Sequence, residues 1–320
     1  MDKVVKELHD IGIVPVIAID DADKAVPLAK ALAAGGLPAA EVTFRTEAGE
    51  EAIKRIVKEV PEMVVGAGTV LTKDQADRAI AAGSKFIVSP GFNPEITKYV
   101  ISKGVSMCPG TATPGEMEQA MALGLDTVKF FPAEQNGGIA KLKALAGPYK
   151  TLNWMPTGGV NTDNLEQYAS FDQIVAVGGT WMVKKDLINN EKWDEITEIC
   201  RAAVKKLLGF RLLHLGINEN ESSAAEKTAK LLSDLFGFAY RPGNSSVFAG
   251  DGFEVMRAKG RGDYGHIAIG TWNVDRAMYH LGKQGVGFDE STRSTDSRGN
   301  TQNIYTDLDI AGFAVHLKKI

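Results

Sequence analysis

At 320 residues the chain is long for one domain and suits two. Its apolar fraction of 44% and charged fraction of 24% are those of an ordinary globular protein. A net charge of −4 offers no attraction to nucleic acid or an anionic membrane, and no apolar run reaches the length of a membrane span.

In chain order, residues 1–9 read as a short helix and Ile11–Ile19 as the first strand. Asp20–Asp23 cap a helix through Ala34 that stops at Gly35-Gly36. Ala39–Arg45 reads as the second strand, followed by a helix from about Ala48 to Val60. The third strand, Met63–Val70, precedes an Ala-rich helix to Ala82. The fourth, Lys85–Ser89, closes at Pro90-Gly91, and a helix near Pro94–Lys103 leads to the fifth, Val105–Cys108. A helix over Pro114–Leu123 precedes the sixth strand, in the stretch Asp126–Glu134 whose apolar run ends at Pro132, and a helix over Gly138–Ala146 the seventh, Asn153–Thr157. A helix over Asn164–Ser170 is followed by the eighth strand, Gln173–Val177, which opens into Gly178-Gly179-Thr180. Strands alternating with helices eight times over roughly 200 residues predict an α/β architecture, the (β/α)8 TIM barrel. A doubly wound open sheet is the alternative. It would normally carry a glycine fingerprint after its first strand, and this chain has none.

Barrel chemistry sits at the carboxyl ends of the strands, and there this chain places its polar and glycine-rich features. On the sixth strand Thr127, Lys129 and Phe131 share one face, while Val128 and Phe130 share the other. A cation on an inward strand face is costly unless paired, and desolvation favours its neutral amine, a nucleophile. The bland reading is a lysine that snorkels to water from a strand end. On the second strand Glu41, Thr43 and Arg45 alternate with Val42 and Phe44. The apolar face packs on helices, which turns Glu41 and Arg45 inward. These two could simply neutralise one another. An amine, a carboxylate and a guanidinium at one mouth suit attack of Lys129 on a keto acid to give a protonated imine. Glu41 would then move protons, directly or through a water, and Arg45 would grip the substrate carboxylate with two N–H groups. Gly158-Gly159 and Gly178-Gly179-Thr180 follow the last two strands, where bare backbone N–H groups can face an anion. Tight turns alone also explain such glycines.

The segments EVTFRTE (41–47), GAGTV (66–70), SPG (89–91), KFFPAE (129–134), PTGGV (156–160) and GGTW (178–181) occur in order. Together they closely resemble the bacterial aldolases for 2-keto-3-deoxy-6-phosphogluconate and 4-hydroxy-2-oxoglutarate, over residues 1–207. The resemblance implies a class I, metal-independent lyase of the Entner–Doudoroff type, needing no cofactor and usually trimeric. It places the Schiff base on Lys129, proton transfer on Glu41, and carboxylate binding on Arg45 and Thr69. The substrate-binding set implied also includes Pro90, Phe131 and Thr157. Phosphate binding falls on Gly158, Gly159, Gly178, Gly179 and Thr180, where many relatives carry serine at the last position. The expected ligand is a small keto acid, phosphorylated or not, with neither nucleic acid nor membrane as partner. Cys108 and Cys200 are expected to be free thiols of a cytoplasmic protein, and the opening MDKVVKELHDIG is too acidic for a signal peptide.

A helix over Trp193–Leu208 ends at Gly209 with no flexible linker after it, so residues 1–209 and 210–320 are expected as two domains. The second carries an internal echo. His214-Leu-Gly-Ile resembles His266-Ile-Ala-Ile, and Gly252-Phe-Glu-Val-Met-Arg resembles Gly312-Phe-Ala-Val-His-Leu, roughly 50–60 residues apart. Each half reads strand, helix (Ser222–Phe236; Val274–Gln284), then short strands. This is similar to the glyoxalase/bleomycin-resistance family, an α+β fold pairing two βαβββ modules. Metal-dependent relatives place ligands on the first and last strand of each module. The comparable positions here are His214, Met256, His266 and His316, with Glu254 on the face of Met256. The methionine departs from that pattern, lone strand histidines ordinarily pack, and no metal is expected. A rival reading is a binding or regulatory protein with an inactive barrel, sensing a small molecule through its second domain. The intact Glu41, Arg45 and Lys129 argue against it.

Overall fold

The computed structural model describes all 320 residues, which divide into two compact units, Met1–Leu207 and Leu208–Ile320. No helix is long and apolar enough to cross a membrane.

The first unit is a ring of parallel strands: β1 (Ile13–Ile17), β2 (Ala39–Thr43), β3 (Val64–Gly68), β4 (Phe86–Ser89), β5 (Ser106–Thr111), β6 (Thr127–Phe130), β7 (Asn153–Pro156) and β8 (Val177–Gly179). Their order is β7-β6-β5-β4-β3-β2-β1-β8, and two isolated bridges, Trp154 to Ile174 and Thr157 to Gly178, bring the ends together. The fold is therefore the TIM-like barrel. Helices follow the strands, among them α2 (Ala25–Ala34), α3 (Gly49–Glu59) and α4 (Lys73–Ala81), with α10 (Trp193–Leu208) last. Their starts are written locally. Thr72 accepts from the Gln75 N–H at 3.1 Å, Asn93 from Glu95 at 3.0 Å just before Pro94, and Thr113 forms a capping box with Glu116.

Every residue of β1, β2, β3, β4 and β6 is buried, because one strand face meets the helices and the other fills the barrel. At the amino-terminal end, Val5 and Leu8 of α1 (Lys3–Ile11) border a small apolar space with Phe86, Thr127 and Met155. Alternation along β6 then carries Lys129, two residues beyond Thr127, toward the opposite, carboxyl end.

The strands run within a few residues of the expected bounds, the fifth reaching Thr111 rather than Cys108, and two of the differences bear on the site. The eighth strand is Val177–Gly179 rather than Gln173–Val177. The ladder with β1 begins at the pair Ile13–Val177, and the buried Gln173 amide instead donates to the carbonyls of Tyr149 (2.9 Å) and Leu152 (2.7 Å). Strand β2 ends at Thr43, so Arg45 lies in the following turn rather than on the strand.

The second unit holds an eight-stranded sheet in the order β10-β11-β12-β9-β13-β16-β15-β14. Its first module is β9 (Arg211–Asn218), α11 (Ser222–Phe236), β10 (Tyr240–Pro242), β11 (Ser246–Ala249) and β12 (Phe253–Met256). The second is β13 (Gly265–Thr271), α12 (Val274–Gly282), β14 (Phe288–Thr295), β15 (Thr301–Ile310) and β16 (Phe313–Lys319). In each module the last strand runs parallel to the first, β12 beside β9 and β16 beside β13. The two modules join where β9 and β13 run antiparallel at the middle of the sheet.

Candidate functional site

At the carboxyl ends of the barrel strands lies a cavity of about 250 Å³. Lys129 rises into it from β6 and Glu41 from β2, with only 4% and 1% of their surfaces exposed. The Lys129 Nζ donates to Glu41 Oε1 at 3.0 Å and lies 3.3 Å from Oε2. The same ammonium stands 5.3 Å from the centre of the Phe131 ring. Burial at this depth rules out a lysine that snorkels to water. Glu41 pairs with Lys129, not with Arg45, so mutual neutralisation of Glu41 and Arg45 does not describe this site.

The backbone makes room for this pair. A side chain on Gly68 would place its Cβ 2.3 Å from Glu41 Oε1, so β3 admits the carboxylate only because it ends in glycine. The next residue, Thr69, borders the cavity with φ of 59°, a left-handed conformation that a β-branched residue seldom adopts. Arg45, exposed in its turn, donates from Nε to Thr43 Oγ1 at 3.2 Å.

Pro90, Phe131, Thr157, Gly158, Gly159, Gly178, Gly179 and Thr180 line the same cavity. Gly158 and Gly159 have φ of 99° and 79°, and a Cβ on Gly159 would lie 2.7 Å from the Glu134 side chain. The turn is thus held against Glu134, which itself receives the Tyr168 hydroxyl. Gly178 likewise has no room for a Cβ, which would meet Thr157 Oγ1 at 2.2 Å. Three lining residues escaped the sequence reading: Val16, Thr43 and Val160. Thr43 was legible as a member of the inward face with Glu41; nothing local marked the other two.

Below the cavity, burial pushes the Cys108 thiol up to about 12, partly offset by Lys129. It is therefore a packed thiol and no rival nucleophile.

The second unit gathers a different set. His214 on β9, His266 on β13 and His316 on β16 are all buried, and one ring nitrogen from each lies within 4.8 Å of the others. Glu254 on β12 completes the group, its Oε2 3.0 Å from His214 Nε2 and 3.3 Å from His266 Nε2. Glu254, rather than Met256, thus meets the histidines. Burial alone would raise the Glu254 carboxyl, but hydrogen bonds from His214, His266 and Ser246 hold it below the usual carboxylate range. Burial pushes His316 down to about 3, with His266 and His214 adding to the effect. His316 Nδ1 meets Asn303 Oδ1 at 2.6 Å, while its buried Nε2 has no hydrogen-bond partner. Gly216 opposes His266 across the strands, and a Cβ there would lie 2.2 Å from the ring. Three buried imidazoles, one with an orphaned ring nitrogen, thus surround one carboxylate.

A parallel barrel with a buried amine and carboxylate at its carboxyl-terminal mouth defines a lyase of the lysine-dependent aldolase class. Comparison with known proteins narrows this. Residues 4–199 match the family described as KDPG and KHG aldolase, and the chain belongs to that family. The 2-dehydro-3-deoxy-phosphogluconate aldolase of Haemophilus influenzae is 44% identical over 202 residues, which are 63% of this chain and 95% of that protein. The KHG/KDPG aldolase of Escherichia coli K12 is 42% identical over 193 residues, covering 60% of this chain and 91% of that protein. The KDPG aldolase of Legionella pneumophila, whose structure holds pyruvate as a covalent carbinolamine, is 36% identical with a TM-score of 0.61. That match covers 62% of this chain and 97% of the other.

Proposed function

We propose that residues 1–209 form a class I aldolase domain that reversibly cleaves 2-keto-3-deoxy-6-phosphogluconate to pyruvate and glyceraldehyde 3-phosphate. The same site would cleave 4-hydroxy-2-oxoglutarate to pyruvate and glyoxylate. The observation that carries this is the sealed contact of Lys129 with Glu41 at 3.0 Å. Passing one proton from Nζ to Glu41 frees the amine to attack the keto carbon. Loss of water from the carbinolamine gives a protonated imine. Glu41, having given its proton to the hydroxyl that leaves as water, takes the C4 hydroxyl proton; the C3–C4 bond breaks, and its electrons flow into the imine to form an enamine. The aldehyde leaves, Glu41 returns a proton to C3, and water releases pyruvate. Arg45 and Thr69 would bind the carboxylate, and Pro90, Phe131 and Thr157 would shape the pocket around the keto acid. The glycine turns Gly158-Gly159 and Gly178-Gly179, with Thr180, would receive the phosphate. The carbinolamine captured in the Legionella relative is the support that chemistry lends. Turnover of both keto acids, with pyruvate measured, tests the assignment; no turnover of either would leave a ligand-binding barrel. A chain ending at Gly209 tests the domain boundary, and should keep turnover close to that of the full chain. The free thiols Cys108 and Cys200 suit a reducing, cytoplasmic setting, and the family resemblance favours a homotrimer, which sedimentation would count.

A second reading concerns residues 210–320, whose paired βαβββ modules support kinship with the glyoxalase/bleomycin-resistance fold. His214, Glu254, His266 and His316 fit a divalent transition ion, since three imidazole nitrogens and one carboxylate suit zinc, nickel, cobalt or iron. The orphaned His316 Nε2 carries this reading. Such an ion, when bound, polarises a substrate carbonyl or acidifies a bound water. Asn303 holds His316 with Nε2 toward the cluster, and Ser246 occupies Glu254 Oε1, leaving Oε2 toward the histidines. Elemental analysis of the purified protein tests it, and absence of a transition metal after incubation with zinc or nickel would refute it.

A further inference from the structure

Arg45 presents a mechanical problem. A guanidinium that grips a carboxylate with two N–H groups must have its plane oriented, yet this arginine lies in a turn beyond the last residue of β2. Its side chain has many rotamers, and Glu41, the carboxylate of the strand that precedes it, is committed to Lys129.

The restraint on Arg45 comes from Thr43. This residue is 1% exposed, ends β2 and lines the cavity. Its Oγ1 donates to the Ile17 carbonyl at 2.8 Å and accepts from Arg45 Nε at 3.2 Å. A hydroxyl has one proton, so its donation to Ile17 turns a lone pair toward Arg45. Branching at Cβ limits the threonine to few rotamers, and Ile17 ends β1, the strand that pairs with β2 through Ile17 and Val42. The hydroxyl oxygen is therefore anchored to two strands of the barrel wall and not to the turn. One bond at Nε restrains the roll of the whole planar group, while the two terminal nitrogens stay available.

We propose that Thr43 is a positioning residue for substrate recognition: it aims the Arg45 guanidinium at the carboxylate of the keto acid. The proposal rests on the aldolase reading of the barrel. Thr43 touches no reacting atom in this role, so its loss weakens binding of the carboxylate without slowing the steps on Lys129. Thr43→Val keeps the shape and removes the hydroxyl, and Thr43→Ser keeps the hydroxyl.

The test combines steady-state kinetics with borohydride trapping of the imine, using pyruvate and acetone as probes. Acetone has the keto group but no carboxylate. For Thr43→Val, the KM of the keto acid should rise about 5- to 10-fold while kcat stays within about twofold, the size expected for one lost hydrogen bond. Half-maximal trapping should need correspondingly more pyruvate and an unchanged amount of acetone, and Thr43→Ser should restore the wild-type values. In an Arg45→Met background, Thr43→Val should add nothing. Equal shifts for pyruvate and acetone, a fall in kcat at constant KM, or a full effect of Thr43→Val without Arg45 would each overturn the proposal. Wild-type protein that traps neither ketone would instead overturn the aldolase reading, and this inference with it. Should Thr43→Val not fold, Thr43→Ala carries the same comparison.

Discussion

The Lys129 ammonium lies 3.0 and 3.3 Å from the two oxygens of Glu41, a residue 88 positions earlier in the chain. Both side chains are almost sealed from water. Two such groups are stable together because each offsets the other's desolvation, and removing one strands a buried charge at a cost of about 3–5 kcal/mol. The pair is also reactive, since a single proton transfer turns it into an amine beside a carboxylic acid.

Borohydride added with pyruvate should therefore inactivate the protein irreversibly and add mass to the peptide containing Lys129 alone. Peptide mass spectrometry checks this. Modification at another lysine, or none, would contradict the assigned nucleophile. The aldol rate should be unchanged by EDTA, because the protonated imine serves as the electron sink.

Glu41→Gln keeps the shape of the side chain and removes its ability to carry protons. Imine trapping on Lys129 should persist at high pyruvate, while turnover should fall by about 10²–10⁴-fold. Near-normal turnover in this variant would reduce Glu41 to a counter-ion for Lys129.

Gly68→Ala should be as damaging as a change at the catalytic pair, although position 68 carries no functional group. The new methyl would overlap Glu41 Oε1 at 2.3 Å, and the wall strand leaves the carboxylate as the group that moves. Displacement by about 1 Å costs on the order of 10²-fold in rate. Kinetics of this variant beside a thermal melt separate lost geometry from lost folding.

Both cysteines are raised to about 12, each chiefly by burial. A raised thiol pKa favours the protonated form, so the thiolate fraction at pH 8 is on the order of 10⁻⁴. The native protein should not react with Ellman's reagent at that pH, and the unfolded protein should release two thiols' worth of colour. Rapid reaction of the native chain would mean that a thiol is reached by solvent.

In the second unit, His316→Ala should lower zinc or nickel content by at least about tenfold and leave the aldol rate within about twofold of wild type. Metal analysis and the pyruvate assay on one preparation read both. Loss of aldol turnover with the metal would show that the two sites are not independent.

Much of this protein is written along the chain. The strand–helix alternation and the inward placement of Glu41 and Lys129 both follow from spacing and side-chain alternation, which are local properties. The same is true of the two repeated modules of residues 210–320 and the face that His214 shares with its counterparts. Tertiary structure decided what those faces meet. Strand register across the ring gave Glu41 to Lys129 instead of Arg45, started β8 at Val177, and tied Thr43 to Ile17. The antiparallel pairing of β9 with β13, and the parallel pairing of β12 with β9 and β16 with β13, brought Glu254 and three distant histidines together. Alternation assigns a residue to a face within its own strand. Which strand lies beside it, and at what stagger, depends on closing a whole sheet, so distances between functional groups exist only once the chain has folded.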